Sequence, residues 1–318
     1  MTLAVITSGG DSPGMNACIR AVVRHALSCG ATVWGFHRGY QGILEDDAVE
    51  LTRASVSNII QQGGTFLQTD RCADFIYREP RLRAGEILRS HGVEGLIVIG
   101  GDGSFRGAAD LYDDTGIPVV GIPGTIDNDL AYTDYSIGFD TAVNNVLWAI
   151  NSLRDTMHSH NKVTVVEVMG RRCGDIALHA GIAGGAEYIL VPEVPYDMEA
   201  ICQGLRQSAE RGKKSNLILL AEGAGKLEPF CEELEKRSGI SPRQTRLGFI
   251  QRGGSPTYRD RLLACRLGIY AVDLLMSGTA DRVVGIRQER IIDCDLREAV
   301  SMTKVFDEAL YRSATTLI

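Results

Sequence analysis

The chain has no Cys-x-x-Cys pair. Its eight cysteines stand singly at positions 18, 29, 72, 173, 202, 231, 265 and 294. This excludes a zinc knuckle and a redox dithiol motif and reads as reduced thiols in a reducing compartment. No apolar run approaches the roughly 20 residues that span a bilayer. The short run at 3–6 is cut by Gly9-Gly10 and has no basic segment ahead of it, so it does not read as a secretory leader. Positive charge is in deficit, with 33 Lys and Arg against 40 Asp and Glu and a formal net charge of −7. General attraction to nucleic acid or to an anionic membrane is thereby excluded, and any anionic ligand must be met by a local basic cluster. Aromatic residues are few, at 6%, and no Pro-rich linker or fixed-period repeat occurs. These absences lead to the expectation of a cytoplasmic protein with neither nucleic acid nor membrane as partner.

Against these shortages stand 36 glycines in 318 residues, a supply that suits loops approaching a ligand closely. The length allows two domains at about 150 residues each. Short β-branched runs alternate with helical patterns, as in a parallel sheet with crossover helices. Residues 3–7 read as a strand. A Gly-rich turn follows, and then Met15, Cys18, Ile19, Val22, Val23, Ala26 and Leu27 recur at helical spacing until Gly30. Further strands are expected at 96–99, 117–122, 163–168, 188–191, 217–220 and 283–286, most of them apolar throughout, as strands covered on both faces are. A long helical stretch from about 138 to 158 marks a domain crossing. The fold class expected is α/β, with two domains that are each a mainly parallel sheet flanked by helices.

Ligands of such sheets bind beyond the carboxyl ends of the strands, so the turns there carry the chemistry. Two of them, Ser8-Gly9-Gly10-Asp11-Ser12-Pro13-Gly14 and Gly100-Gly101-Asp102-Gly103-Ser104, are glycine-rich and open helices, which favours a phosphate. Neither continues into Gly-Lys-Ser/Thr, which excludes a P-loop hydrolase. Gly101-Asp102-Gly103 with Gly107 brushes against a dinucleotide fingerprint, a weak pattern by itself.

A third turn, 123–129, places Asp127 and Asp129 two residues apart, on the same side of an extended segment. Such an Asp-Asn-Asp suits a solvated turn as well as a catalytic base. Asp102 is the better metal candidate, because Mg²⁺ is held by one or two carboxylates plus the nucleotide's own oxygens. Arg171 and Arg172 in a fourth turn, and Arg252 in a fifth, supply the local basic cluster where charge develops on a transferring phosphoryl group.

Taken in chain order, these residues resemble the bacterial ATP-dependent 6-phosphofructokinases: TSGGDSPGMN at 7–16, GGTFL at 63–67, IGGDGS at 99–104, PGTIDND at 123–129, VEVMGR at 166–171 and IQRGGSP at 250–256. The resemblance covers almost the whole chain. It implies a phosphofructokinase-like fold, with residues 1–138 and 252–304 binding ATP and residues 139–251 and 305–318 binding the sugar phosphate. It also implies transfer of the ATP γ-phosphoryl group to the 1-hydroxyl of fructose 6-phosphate. On the same resemblance Asp127 is the general base, Thr125 and Arg171 stabilise the transferring group, and Asp102 holds Mg²⁺ with Asp129 nearby. The ATP site comprises Gly10, Tyr40, Arg71, Cys72, Gly101, Gly103, Ser104 and Gly107. The sugar phosphate is met by Lys162, Met169, Gly170, Glu222, Arg243, Phe249 and Arg252, with Lys162 and Arg243 reaching in from a neighbouring subunit.

A homotetramer follows from the resemblance, with an effector such as ADP or phosphoenolpyruvate bound near Arg20, Arg24, Arg53, Arg154, Gly185, Glu187, Arg211 and Lys213. Pyrophosphate-dependent relatives carry Asp at the position of Gly103 and Lys at that of Gly124, which makes ATP the expected donor. The sequence departs from the family pattern at Lys162, where Arg is usual, and at Phe249, where His is usual. It departs again near the effector residues, at Ser215 and Asn58. Two other readings remain open: a kinase of another sugar phosphate, such as a sedoheptulose or tagatose phosphate, and a non-catalytic sensor of nucleotide and sugar phosphate.

Overall fold

In β1 (Thr2–Thr7) alternate residues enter two different cores: Leu3 and Val5 pack on one face and Ala4 and Ile6 on the other. A period of two in a wholly apolar run has this result when both sheet faces are covered. The computed structural model describes residues 1–213 and 215–317; Lys214 and Ile318, both inside the expected second domain, lie outside them. The chain continues through α1 (Met15–Ser28), β2 (Thr32–Phe36), α2 (Tyr40–Leu44), β3 (Ala48–Glu50), α3 (Arg78–Ser90), β4 (Gly95–Gly100), α4 (Asp102–Thr115), β5 (Val119–Pro123) and α5 (Phe139–His160). Then come β6 (Val163–Val168), α6 (Asp175–Gly184), β7 (Tyr188–Leu190), α7 (Met198–Glu210), β8 (Asn216–Ala221), α8 (Leu227–Ser238), β9 (Arg243–Arg246), α9 (Tyr258–Met276), β10 (Arg282–Arg287), β11 (Arg290–Asp295), α10 (Leu296–Ser301) and α11 (Glu308–Thr315).

The chain divides into two units. The first comprises Met1–Ile126, Leu130–Thr141 and Arg252–Lys304; the second comprises Asp127–Asp129, Ala142–Gln251 and Val305–Ile318. The expected crossing at 138 lies just before α5, whereas the observed one lies inside that helix, after Thr141. Asp127–Asp129 belong to the second unit although the flanking residues belong to the first.

The first unit holds a seven-stranded sheet in the order β11-β10-β5-β4-β1-β2-β3. β2, β1, β4, β5 and β10 run parallel, and β3 and β11 are antiparallel edges. From β1 the chain winds outward to β2, and from β4 it winds the opposite way to β5, so the order reverses between β1 and β4. Open α/β sheets bind ligands at such a reversal. The second unit holds a parallel sheet in the order β7-β8-β6-β9.

Each strand expected from apolar runs is present. Four strands were not among those expected: β2, the short edge β3, the polar β9, with sequence RQTR, and β11. The β10–β11 hairpin turns on Gln288 and Glu289, both with positive φ (50° and 61°), without the Asn-Gly that announces such a turn in a sequence.

One buried carboxylate fastens α9 to the start of α5. Asp260, 1% exposed, accepts hydrogen bonds from the Gly138 amide (2.9 Å), the Thr141 amide (2.8 Å) and the Thr141 hydroxyl. Burial nevertheless pushes its carboxyl up to about 6 from an ordinary 3.8, the hydrogen bonds opposing the shift. A raised folded-state value means that the stabilisation is fully present below about pH 3.8 and is lost as pH rises through about 6. Relative to Asp260→Asn, the parent should therefore be more stable at pH 4.5 than at pH 7.5 by about 2 kcal/mol. Urea unfolding of both proteins at the two pH values measures this. An identical difference at both would contradict it.

Candidate active site

Three loaded turns meet at the carboxyl ends of β1, β4 and β5. The Ser8 amide donates to the Ile99 carbonyl (3.0 Å), and the Gly124 amide donates to the Gly100 carbonyl (2.9 Å). Asn16 fastens a fourth segment to them: its amide donates to the carbonyls of Gln62 and Gly63, and its side-chain oxygen accepts from the Phe66 amide. Thr69 donates to the Gly9 carbonyl at 2.8 Å, so the loop that carries GGTFL lies along the first glycine turn.

The glycines of these turns serve different ends. A Cβ on Gly10 would meet the Arg252 guanidinium at 3.0 Å, so Gly10 makes room for that arginine, which also stands 3.8 Å from Asp11. Gly107 admits the ring of Tyr40, which stacks on Phe75 at 4.0 Å between centroids and donates its hydroxyl to the Ser104 carbonyl at 2.6 Å. Tyr40 is thus a buried wall under the start of α4, and burial raises its phenol well above the ordinary value. Gly124 packs closely, since a Cβ there would come within 2.9 Å of the Ile99 side chain, which would have to shift. Gly103 differs from all of them: a Cβ would meet nothing within 4 Å. No described residue comes within 4 Å of that point, which lies over the N-terminus of α4, where backbone amides favour an anion.

Thr125 lies close to Gly101, a Cβ on which would stand 3.7 Å from the Thr125 Cβ. Asp102, the first residue of α4, forms a two-pronged ion pair with Arg106 (2.9 and 3.2 Å), and Arg106 also donates to the Val300 carbonyl. Among the described residues no three His, Cys, Asp or Glu side chains gather as a metal cluster. One half-exposed carboxylate beside open space fits an ion that takes most of its ligands from phosphate and water, and fits no all-protein cage. Arg71 is exposed; Cys72 is half-buried, and burial raises its thiol.

In the second unit the fourth turn closes on the acidic segment. Asp127, 2% exposed, has its Oδ2 3.2 Å from the Nε of Arg171, whose side chain is 52% exposed. Arg171 itself has a positive φ (53°), and its amide donates to Glu222 Oε1 at 2.7 Å, as does that of Gly170 at 3.2 Å. Gly170 (φ 135°) cannot be another residue, because a Cβ would run into the Cys173 carbonyl. The Met169 amide donates to the wholly buried Gln251, whose own amide donates to the Gly248 carbonyl. Gln251 lies inside IQRGGSP, yet nothing in its local sequence signals this role.

Asn128 corrects one expectation. Its φ is 53°, so the segment is not extended, and the two flanking carboxylates part company: Asp127 is buried and Asp129 is half-exposed.

Lys162 and Arg243 do not join this cluster. Lys162 immediately precedes β6, and Arg243 begins β9, paired with Thr164, whereas Arg171 and Glu222 follow the far ends of β6 and β8. Six residues of strand separate the two ends by roughly 20 Å. Phe249 lies at the Arg171 end of the sheet and is 79% exposed. Nearby Arg246 is bound to Glu167 and Glu228.

Of the residues expected near an effector, a group in the second unit converges. Arg154 donates to the carbonyls of Gly184 and Gly185. Buried Glu187 pairs with Lys213 at 2.8 Å, and Arg211 caps α7 two residues before Lys213. Arg20 and Arg24 are half-buried on α1, and Arg53 is exposed.

The family model for phosphofructokinase matches residues 2–275. The chain belongs to the phosphofructokinase family. It is 57% identical over 99% of its length to the ATP-dependent 6-phosphofructokinase of Clostridium tetani, covering 98% of that protein. It is 54% identical to the one from Clostridioides difficile, covering 99% of each chain. Among solved structures it resembles a phosphofructokinase of Saccharomyces cerevisiae, with 34% identity and a TM-score of 0.88 over 99% of this chain and 47% of that one, so it spans about half the length of the yeast chain. A pyrophosphate-dependent phosphofructokinase of Marinobacter aquaeolei shares the fold, with a TM-score of 0.87 over 97% of this chain and 86% of that one, at 23% identity. Among the described residues no helix is long and apolar enough to cross a membrane.

Proposed function

We infer that the chain is an ATP-dependent 6-phosphofructokinase, transferring the γ-phosphoryl group of ATP to the 1-hydroxyl of fructose 6-phosphate in glycolysis. The single observation that carries this reading is full-length identity of 54–57% to bacterial enzymes of that name. Buried Asp127 beside Arg171 is what the reaction requires of the chain.

In this reading Asp127 accepts the proton of the 1-hydroxyl as its oxygen forms a bond to the γ-phosphorus, and the bond from that phosphorus to the β–γ bridging oxygen breaks to release ADP. Thr125 and Arg171 hold the equatorial oxygens, where charge accumulates in a loose phosphoryl-transfer transition state. Arg171, half-exposed, exchanges Asp127 for the phosphoryl oxygens when substrate arrives. Gly10, Gly101, Gly103, Ser104 and Gly107 offer backbone and room to ATP, with Tyr40 as a wall and Arg71 and Cys72 at the edge. Asp129, Met169, Gly170, Glu222, Phe249 and Arg252 line the acceptor. Asp102, now paired with Arg106, would be the residue to hold Mg²⁺, and the ion would supply neutralisation of phosphate charge. A ³¹P spectrum of ATP and fructose 6-phosphate with enzyme should show ADP and a second sugar phosphate ester appearing together; release of inorganic phosphate alone would contradict the reading.

Lys162 and Arg243, at the wrong end of their own sheet to meet Arg171, support a site completed by another copy of the chain, and we take the assembly to be a homotetramer in the cytoplasm. The arginines of α1, Arg53 and the Arg154–Glu187–Lys213 group then serve a phosphorylated effector such as ADP or phosphoenolpyruvate.

The acceptor phosphate meets a lysine where a bidentate guanidinium is usual and a phenyl ring with no donor. Restoring the two-pronged cation at 162 and a donor at 249, in Phe249→His with Lys162→Arg, should lower KM for fructose 6-phosphate about tenfold, since a hydrogen bond to a charged group contributes about 1.5–3 kcal/mol. Turnover should stay within about twofold, because neither residue meets the reacting atoms. An unchanged or raised KM would favour another acceptor sugar.

A further inference from the structure

The acidic segment is gripped by the turn that follows β6. Asn128 donates its Nδ2 hydrogen to Asp175 Oδ2 at 2.8 Å, with both side chains buried. The Asn128 carbonyl accepts a weak bond from the Cys173 thiol at 3.8 Å. Asp127 is paired with Arg171, four residues before Asp175. Three successive attachments thus run from one turn to two adjacent residues, and that turn is itself fixed at Gly170 and Arg171 by Glu222 and at Gly174 by Glu193.

The geometry points to Asp175 as a positioning residue for the reaction: by holding Asn128 in its left-handed conformation it sets the direction of the Asp127 carboxylate relative to Arg171. This rests on Asp127 being the base. Asn is among the few residues that visit φ near +53° readily, but in isolation it leaves that region just as readily. A side-chain bond to a buried acceptor removes that freedom. A carboxylate at position 175 is a costly way to fill buried space, and an aliphatic side chain would fill it without the desolvation penalty. The first turn of α6, where Asp175 sits, lowers that penalty, because helix N-termini favour negative charge. The arrangement therefore suits a fixed acceptor at a fixed point more than it suits packing. Small displacements matter here, since a misplacement of about 1 Å in a reacting group costs up to about 10²-fold in rate.

The test uses the full-length enzyme and three variants, with kcat and KM for fructose 6-phosphate at saturating ATP and magnesium, and with the thermal midpoint of each. Asp175→Ala should lower kcat about 10- to 100-fold while KM stays within about threefold. Asp175→Asn, whose side-chain oxygen still accepts from Asn128, should recover most of that loss. Asn128→Gly, which keeps the left-handed backbone but has no side chain to hold, should fall as Asp175→Ala does. Turnover within twofold of the parent in Asp175→Ala or Asn128→Gly would overturn the proposal, as would an Asp175→Asn variant no better than Asp175→Ala. If Asp175→Ala does not fold, the other two variants decide. An inactive parent chain would overturn the functional reading and this proposal with it, whereas an active parent with unaffected variants overturns this proposal alone.

Discussion

Asp127→Asn should lower kcat about 10²- to 10⁴-fold, the range over which a positioned general base acts, with KM for the sugar phosphate changed by no more than a few-fold. The substitution keeps the shape of the side chain, its burial and one oxygen, so the segment between Ile126 and Leu130 should hold its place. What it removes is the capacity to take a proton, and with it the charge facing Arg171. Arg171 is half-exposed and can turn to water when its partner is neutral, which keeps the structural penalty small. Rapid-quench measurement of a single turnover separates the chemical step from product release. A variant within a few-fold of the parent in that step would show that another group is the base.

Gly103→Asp should lower kcat/KM for ATP about 10²- to 10³-fold and leave the thermal midpoint unchanged. The structure makes this a clean substitution: a Cβ at 103 meets nothing, φ there is not in the glycine-only region, and an acidic residue in the first turn of α4 suits the helix dipole. A loss cannot then be assigned to folding. If nucleotide phosphates occupy that space, a carboxylate at about 4 Å opposes one of them by roughly 4 kcal/mol at an effective dielectric of 20. Gly124 gives no such test, because its substitution would collide with Ile99 whether or not a nucleotide binds. A Gly103→Asp enzyme with ATP kinetics near those of the parent would place the nucleotide elsewhere.

The parts of the fold written in apolar periodicity were legible from the residues. β1, β4, β5 and β8 are buried on both faces and read as largely hydrophobic runs, and β6 is one interrupted by Thr164 and Glu167. β9 was not legible, because four polar residues carry no burial signal and their pairing with β6 is a tertiary choice. At the site, residue identity announced the chemistry but not the conformation. Asp127 and Asp129 read as a same-side pair until the left-handed Asn128 separated them, and a single backbone angle is invisible in composition. Gln251 and Asp175 escaped for a related reason: they act through bonds to Met169 and Asn128 that span 82 and 47 residues, and no local spacing encodes such bonds. The glycines looked alike in the sequence. Only their surroundings distinguish Gly10, Gly107 and Gly124, which yield to protein atoms, from Gly103, which faces open space.

The central claim is the identity of the donor and the acceptor. Initial rates over a panel of sugar phosphates, each with ATP or pyrophosphate, measure both directly. The account predicts the highest kcat/KM for fructose 6-phosphate with ATP and no appreciable turnover with pyrophosphate. A sedoheptulose or tagatose phosphate exceeding fructose 6-phosphate, or efficient turnover with pyrophosphate and none with ATP, would contradict it.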